Sequence, residues 1–258
     1  MTTTVSFTVD AAHGPRPVSV KYERTGAGAP LVLLHGIGHH HQAWDPVTRI
    51  LAAEREVIAV DLPGFGTSPA LPDGVPYTLE AVTPVLGAFF AALGLDRPHV
   101  AGNSLGGLFA LELGRRELVR SVTALSPAGF WNEPERRYAF TTLRAMRRAA
   151  LALPAPAIER LSRSAAGRTA LTSTIYARPG RRSPEAVVAE TLALRGATGF
   201  HQTLAAGGAV SFTHDVKGLP VTVAWGPRLL GGALLQLPGV PALHRRPSGQ
   251  QPDGGAEA

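Results

Sequence analysis

Hydrophobic positions along the first half of the chain fall into short blocks whose period changes from two, to continuous, to helical. Thr4–Val9 alternates apolar and polar residues, and Val18–Tyr22 does so again beyond Gly14-Pro15, which predicts an antiparallel hairpin at a sheet edge. Leu31-Val32-Leu33-Leu34 and Val57-Ile58-Ala59-Val60 contain no polar residue, as expected of strands covered on both faces in a parallel sheet. Between them Ala43–Ala53 can form a helix. Thr78 is a good N-cap, and Leu79, Val82, Leu86, Phe89, Phe90 and Leu93 form one broad stripe that ends at Gly94. Pro84 inside this helix predicts a kink. A strand from His99, a helix over Leu105–Gly114 and a strand over Ser121–Leu125 follow. Strands alternating with helices at this spacing define an α/β fold with a mostly parallel central sheet and flanking helices. Its active residues belong at the carboxyl ends of the strands.

From Trp131 the strand signal vanishes. Ser126–Glu133 is a loop rich in small residues, and from Trp131 to about Gly208 Arg-rich and Ala-rich segments take over. Phe140, Leu143 and Met146 recur at threes with Arg136, Arg137, Arg144, Arg147 and Arg148 around them, which predicts an amphipathic helix. Leu219–Gly226 reads as a further core strand and its exit. Beyond it Leu234–Gly239 imitates a last strand, and the Gly- and Pro-rich remainder reads as disordered.

Composition narrows the classes. The 258 residues suffice for one α/β domain with an insertion, and 45% hydrophobic residues allow a sizeable core. No apolar run reaches the ~18 residues that span a bilayer. The start Met1-Thr2-Thr3-Thr4-Val5 lacks the basic-then-apolar pattern of a secretory signal, so a cytoplasmic protein is expected. Cysteine is absent, which removes thiolate nucleophiles and cysteine-held metals. The net charge of +6 is read as basic, solvated helix faces rather than a nucleic-acid or membrane surface, because no stacking aromatics alternate with the arginines. His39-His40-His41 does not predict a metal site: neighbouring loop residues point in different directions, and no acid or cysteine adjoins them in sequence.

The chemistry collects at three strand ends. His35-Gly36-Ile37-Gly38 follows the first buried strand, where the Ile37 amide could turn toward a developing oxyanion. Asp61-Leu62-Pro63-Gly64-Phe65-Gly66-Thr67-Ser68 follows the second. Gly102-Asn103-Ser104-Leu105-Gly106-Gly107 follows the third and reads as a nucleophile elbow, a sharp strand-to-helix turn that exposes Ser104 in a strained backbone conformation. Gly102 and Gly106 stand where side chains would collide if the turn closed.

These three loops, in this order and spacing, resemble the α/β-hydrolase superfamily, in particular bacterial serine hydrolases with a helical cap. The resemblance covers about Val18 to Gly226. It implies a hydrolase core over residues 1–130 and 210–245, a helical cap over 131–209 roofing the active site, and leaves 246–258 as a disordered tail. It implies Ser104 as nucleophile, the backbone amides of Ile37 and Leu105 as oxyanion hole, no cofactor, and a small, largely apolar ester or related acyl compound as substrate. A serine at the elbow argues against epoxide-hydrolase and dehalogenase chemistry.

The family's acid and histidine have no clear counterpart. No Asp or Glu occurs between Gly226 and Asp253, and His244 is the candidate base although it lies far downstream of the imitated strand. Glu133, after the strand that follows the elbow strand, is a candidate acid; Asp215 precedes its strand and so belongs at the wrong end of the sheet. Two readings stand: a serine hydrolase with an altered C-terminus, or a catalytically impaired hydrolase fold that binds a ligand or survives as a remnant. The oligomeric state is not legible in the sequence.

Overall fold

The computed structural model describes residues 1–12 and 14–225. Seven strands form one sheet in the order β1-β2-β4-β3-β5-β6-β7: β1 (Thr2–Val9), β2 (Arg16–Thr25), β3 (Ala29–Leu34), β4 (Arg55–Asp61), β5 (His99–Asn103), β6 (Ser121–Leu125) and β7 (Val221–Ala224). β1 and β2 are the antiparallel hairpin expected at the edge, and β2 pairs antiparallel with β4. β4, β3, β5, β6 and β7 run parallel.

The continuous apolar runs have the predicted cause. Val32, Leu34, Ile58 and Val60 join the larger core cluster, whereas the intervening Leu33, Val57 and Ala59 join a second cluster with Trp44. Successive side chains of a strand point to opposite faces, so a run without polar residues is a strand buried on both.

Helix α1 (Asp45–Leu51) is shorter than the interval Ala43–Ala53 expected of it, and a single 3-10 turn at His41–Trp44 precedes it. Pro46 sits in its first turn, where the missing amide costs nothing. α2 (Leu79–Ala92) starts at the Thr78 cap, whose side chain accepts from the Ala81 amide, and runs through Pro84 without interruption. Proline leaves the carbonyl four residues back without its usual partner. Here that carbonyl belongs to Glu80, and the Arg116 guanidinium approaches it at 3.5 Å. α3 (Leu105–Arg115) packs on β5 and β6.

Between β6 and β7 the chain forms five helices and no strand: α4 (Glu133–Ala152), α5 (Ala155–Ser162), α6 (Ala165–Thr172), α7 (Pro184–Gly196) and α8 (Phe200–Ala206). α4 begins at a capping box in which Asn132 accepts from the Glu135 amide and Glu135 accepts from the Asn132 amide. One residue departs from the solvated basic face expected of this helix. Arg147 is buried, donating to the Ala197 carbonyl at 3.1 Å and lying 5.6 Å from the Phe200 ring centre. Among the described residues no helix is long and apolar enough to cross a membrane.

Candidate active site

Ser104 stands between β5 and α3 with φ 53° and ψ −111°, a left-handed conformation that an L-residue adopts only when its surroundings impose it. The surroundings are visible. The Ser104 amide donates to the Leu125 carbonyl at 2.9 Å, and its carbonyl accepts from the Leu108 and Ala128 amides, both at 3.0 Å. The serine backbone is thus stitched to β6, to the loop beyond it and to the first turn of α3.

The loop after β3 lies against this turn. A Cβ on Gly36 would sit 3.4 Å from the Ser104 Cβ, so only a glycine's bare backbone separates the two loops. Neither the Ile37 nor the Leu105 amide donates a hydrogen bond to any described residue. Leu105 opens α3, whose first-turn amides have no partners within the helix and whose dipole favours negative charge at that end. Ile37, Ser104 and Leu105 together line a cavity of about 50 Å³, roofed by Trp131, Phe140 and Leu204.

His35 holds the loop after β3 in place. It is fully buried, and Leu62 donates its amide to His35 Nε2 at 3.0 Å, so the ring proton resides on Nδ1, 2.7 Å from the Gly36 carbonyl. Burial lowers the pKa of this imidazole to about 4, consistent with a neutral ring. Asp61, at the end of β4, is fully buried and accepts from the His41 amide at 2.7 Å, His41 Nδ1 at 2.9 Å, and the Thr67 amide and hydroxyl at 2.8 Å each. Burial alone would raise its pKa, but these donors outweigh it and hold the carboxylate well below its ordinary range. His41 shows the reciprocal effect: burial pushes it down, the carboxylates of Asp61, Glu23 and Asp45 together more than compensate, and the net shift is upward. His41 thereby ties the loop after β3 to the end of β4. Among the described residues no group of three or more His, Cys, Asp or Glu is placed to hold a metal.

The other expected participants are distributed differently. Glu133 is exposed at the first turn of α4, ion-paired with Arg136 and, at 3.7 Å, with Arg137. Asp215 is exposed beside Lys217. His244 lies outside the described residues. Among the described residues no side chain hydrogen-bonds the Ser104 hydroxyl.

A polar cluster that went unnoticed in the sequence joins the loop after β3 to the helices above it. The His40 amide donates to His39 Nδ1 at 3.1 Å, which leaves the proton of the neutral ring on Nε2, directed at the Tyr176 hydroxyl 3.1 Å away. Arg182 lies 4.5 Å from the Tyr176 ring centre and donates to Glu190 Oε1. Glu190 shares a helix face with Val187, Thr191 and Leu194, a spacing that marks it as a carboxylate on a buried stripe.

The chain belongs to the α/β-hydrolase fold family, whose model matches residues 29–181. It is 45% identical over 96 residues to the pimeloyl-[acyl-carrier protein] methyl ester esterase of Aeromonas hydrophila, covering 37% of this chain and 36% of that protein. It is 36% identical over 132 residues to the dihydrolipoyllysine-residue acetyltransferase component of the acetoin cleaving system of Pseudomonas putida, covering 46% of this chain and 35% of that protein. The chain thus spans little more than a third of the length of these curated relatives. Among solved structures, a thermophilic esterase from Thermogutta terrifontis superposes with a TM-score of 0.62 at 23% identity, over 86% of this chain and 80% of the other. E-2-(acetamidomethylene)succinate hydrolase does so with a TM-score of 0.60 at 18% identity, over 87% and 91%. At these identities the structural likeness speaks for the fold.

Proposed function

We propose that this protein is a cofactor-independent serine hydrolase in which Ser104 attacks the acyl carbon of a small apolar ester or related acyl compound. The observation that carries the reading is the left-handed backbone of Ser104, in an apolar cavity flanked by two amides with no partner among the described residues. Attack would form a bond from Ser104 Oγ to the acyl carbon, while the carbonyl oxygen takes up negative charge received by the Ile37 and Leu105 amides. Collapse of the tetrahedral species expels the alcohol and leaves an acyl-serine, which water then hydrolyses. The apolar roof of α4 and α8 acts as the cap, excluding water and strengthening those electrostatic contacts. The esterase relatives support an ester as the bond cleaved.

The proton from Ser104 needs an acceptor, for which His244 is the sequence's candidate. The lack of any Asp or Glu between Gly226 and Asp253 supports a second reading, a hydrolase fold that binds its ligand without efficient turnover. Losing the histidine of a serine triad costs about 10⁶ in turnover, with ~10³ to 10⁴ over water left to the oxyanion hole and binding. Purified protein is expected to be labelled by a fluorophosphonate and to hydrolyse p-nitrophenyl butyrate. Ser104→Ala should abolish both, and His244→Ala should abolish turnover. Failure of the wild-type protein to label, or equal labelling of Ser104→Ala, overturns the nucleophile assignment. Labelling without measurable hydrolysis selects the second reading.

A further inference from the structure

The loop that carries the Ile37 amide is held by the core at its two ends. At one end the Leu62 amide pins His35, and at the other the His41 amide and ring Nδ1 both donate to Asp61. The residues between are met by the helical segment above. Gly38 lies so close to Leu194 of α7 that a Cβ there would overlap it, and Phe200 of α8 flanks the same position. His39, two positions beyond Ile37, closes a turn by donating its amide to the Gly36 carbonyl at 3.2 Å.

A chain of hydrogen bonds runs from this turn into the connection between α6 and α7. The His40 amide donates to His39 Nδ1, and His39 Nε2 donates to the Tyr176 hydroxyl oxygen, both at 3.1 Å. The Tyr176 hydroxyl in turn donates to the Glu190 carboxylate. Arg182 donates to Glu190 Oε1 and lies 4.5 Å from the Tyr176 ring centre. Each link has one direction: His39 gives the Nε2 proton because His40 occupies Nδ1, and Tyr176 receives it because a carboxylate claims its own proton. Burial lowers the His39 pKa to about 3, so the ring stays neutral and the direction holds. Such a chain acts as a unit, stronger than its separate links.

We infer that Tyr176 is a positioning residue for the oxyanion hole: by holding His39 it sets where the Ile37 amide points. His39 conveys that hold along the loop through the turn it closes on Gly36. Aim matters because a donor stabilises the oxyanion only from about 2.7–3.1 Å, and a loop tied down at His35 and His41 alone spreads the amide over a wider range. This rests on the Ser104 chemistry proposed above and adds what keeps its oxyanion donor in place.

The test compares labelling rates with two reagents that differ at the atom the Ile37 amide meets. A fluorophosphonate presents a P=O oxygen and the matching fluorophosphonothioate a P=S sulfur. With either, the Ser104 Oγ–P bond forms, fluoride leaves and the hydroxyl proton is released. Sulfur is the weaker acceptor, so the first reagent depends far more on a well-aimed amide. Tyr176→Phe deletes the hydroxyl and leaves the ring beside Arg182. His39→Asn deletes the same bond from the other side and keeps an oxygen near the Nδ1 position for the His40 amide. Each variant should react with the fluorophosphonate about 30-fold slower than wild type, part of the roughly 10²–10³ that loss of a whole donor costs, and with the phosphonothioate within about three-fold of it. The double variant should be no slower than either single one, because both remove one interaction. Should one variant fail to fold, the two rates of the other decide. Equal slowing with both reagents, no slowing, or a double variant slowed by the product of the two overturns the inference, a loss of active protein being the cause of the first. Wild-type protein that reacts with neither reagent removes the Ser104 reading and this inference with it, whereas normal wild-type labelling with unchanged variants removes the Tyr176 assignment alone.

Discussion

The backbone of Gly102 lies against the carbonyl of Gly106 with no room for a methyl group between them. A Cβ on Gly106 would in turn overlap the Leu34 and His35 carbonyls. The turn at Ser104 is therefore closed on both sides by main chain, which cannot give way as a flexible side chain can. Gly102→Ala is expected to destabilise the protein by about 1–3 kcal/mol, the range for forced overlap in a packed region. Urea denaturation checks this, and a loss under 0.5 kcal/mol would mean that the turn has slack.

Acid should weaken the fold well before the carboxylates titrate. His35 is held neutral by the Leu62 amide at Nε2, with its pKa lowered to about 4, and burial lowers that of His39 to about 3. Below the unfolded value near 6.5 the unfolded chain binds protons that the folded chain refuses. Each ring's contribution is thus complete above pH 6.5 and drains away as pH falls toward its folded value, at about 1.4 kcal/mol per pH unit. His41 has the opposite sign, because its raised pKa adds stability below 6.5 that is lost as pH rises through the folded value. Asp61 contributes above the ordinary carboxylate range and fades only when pH falls through its still lower folded value. Unfolding midpoints in urea should therefore drop between pH 6.5 and 5. A midpoint that rises over that interval would show that these rings are not buried in neutral form.

Arg147 illustrates a charge buried without full compensation. Its Nε and Nη1 atoms are buried and have no hydrogen-bond partner, its Nη2 meets the Ala197 carbonyl, and burial lowers its pKa. Replacing an incompletely satisfied buried ion by an apolar chain of similar length is often neutral or stabilising. Arg147→Met should keep the packing against Phe200 and cost less than about 1 kcal/mol by thermal or urea unfolding. A loss above about 3 kcal/mol would show that the guanidinium is a keystone between α4 and the start of α8.

The strands were legible because burial on both faces leaves a plain signature: Leu31–Leu34 and Val57–Val60 have no polar residue to place. Ser104 was legible because a close-packed elbow needs Gly102 and Gly106 at fixed offsets. The start of α1 was less so, since a 3-10 turn at His41–Trp44 and a helix from Asp45 share one local pattern until Pro46 is weighed. The local pattern places Arg147 with its neighbours on a solvated face, whereas the fold buries it. Nothing local distinguishes Arg147 from Arg148; the difference arises from α8 and Ala197 folding back over one of them. Glu190 could have been singled out by its spacing from Val187, Thr191 and Leu194, but its partners Arg182 and Tyr176 could not.

By itself the sequence determined the order of strands and helices, the parallel sheet, and the serine at the end of its third buried strand, because each is written in residues a few positions apart. Only the tertiary structure decided that Gly36 abuts Ser104, that Leu62 sets the tautomer of His35, and that Arg182 meets Glu190 on the buried face of its helix. Those relationships join atoms far apart in the chain, and their strength depends on exclusion of water. Burial is a property of the folded surface as a whole, not of any window of residues.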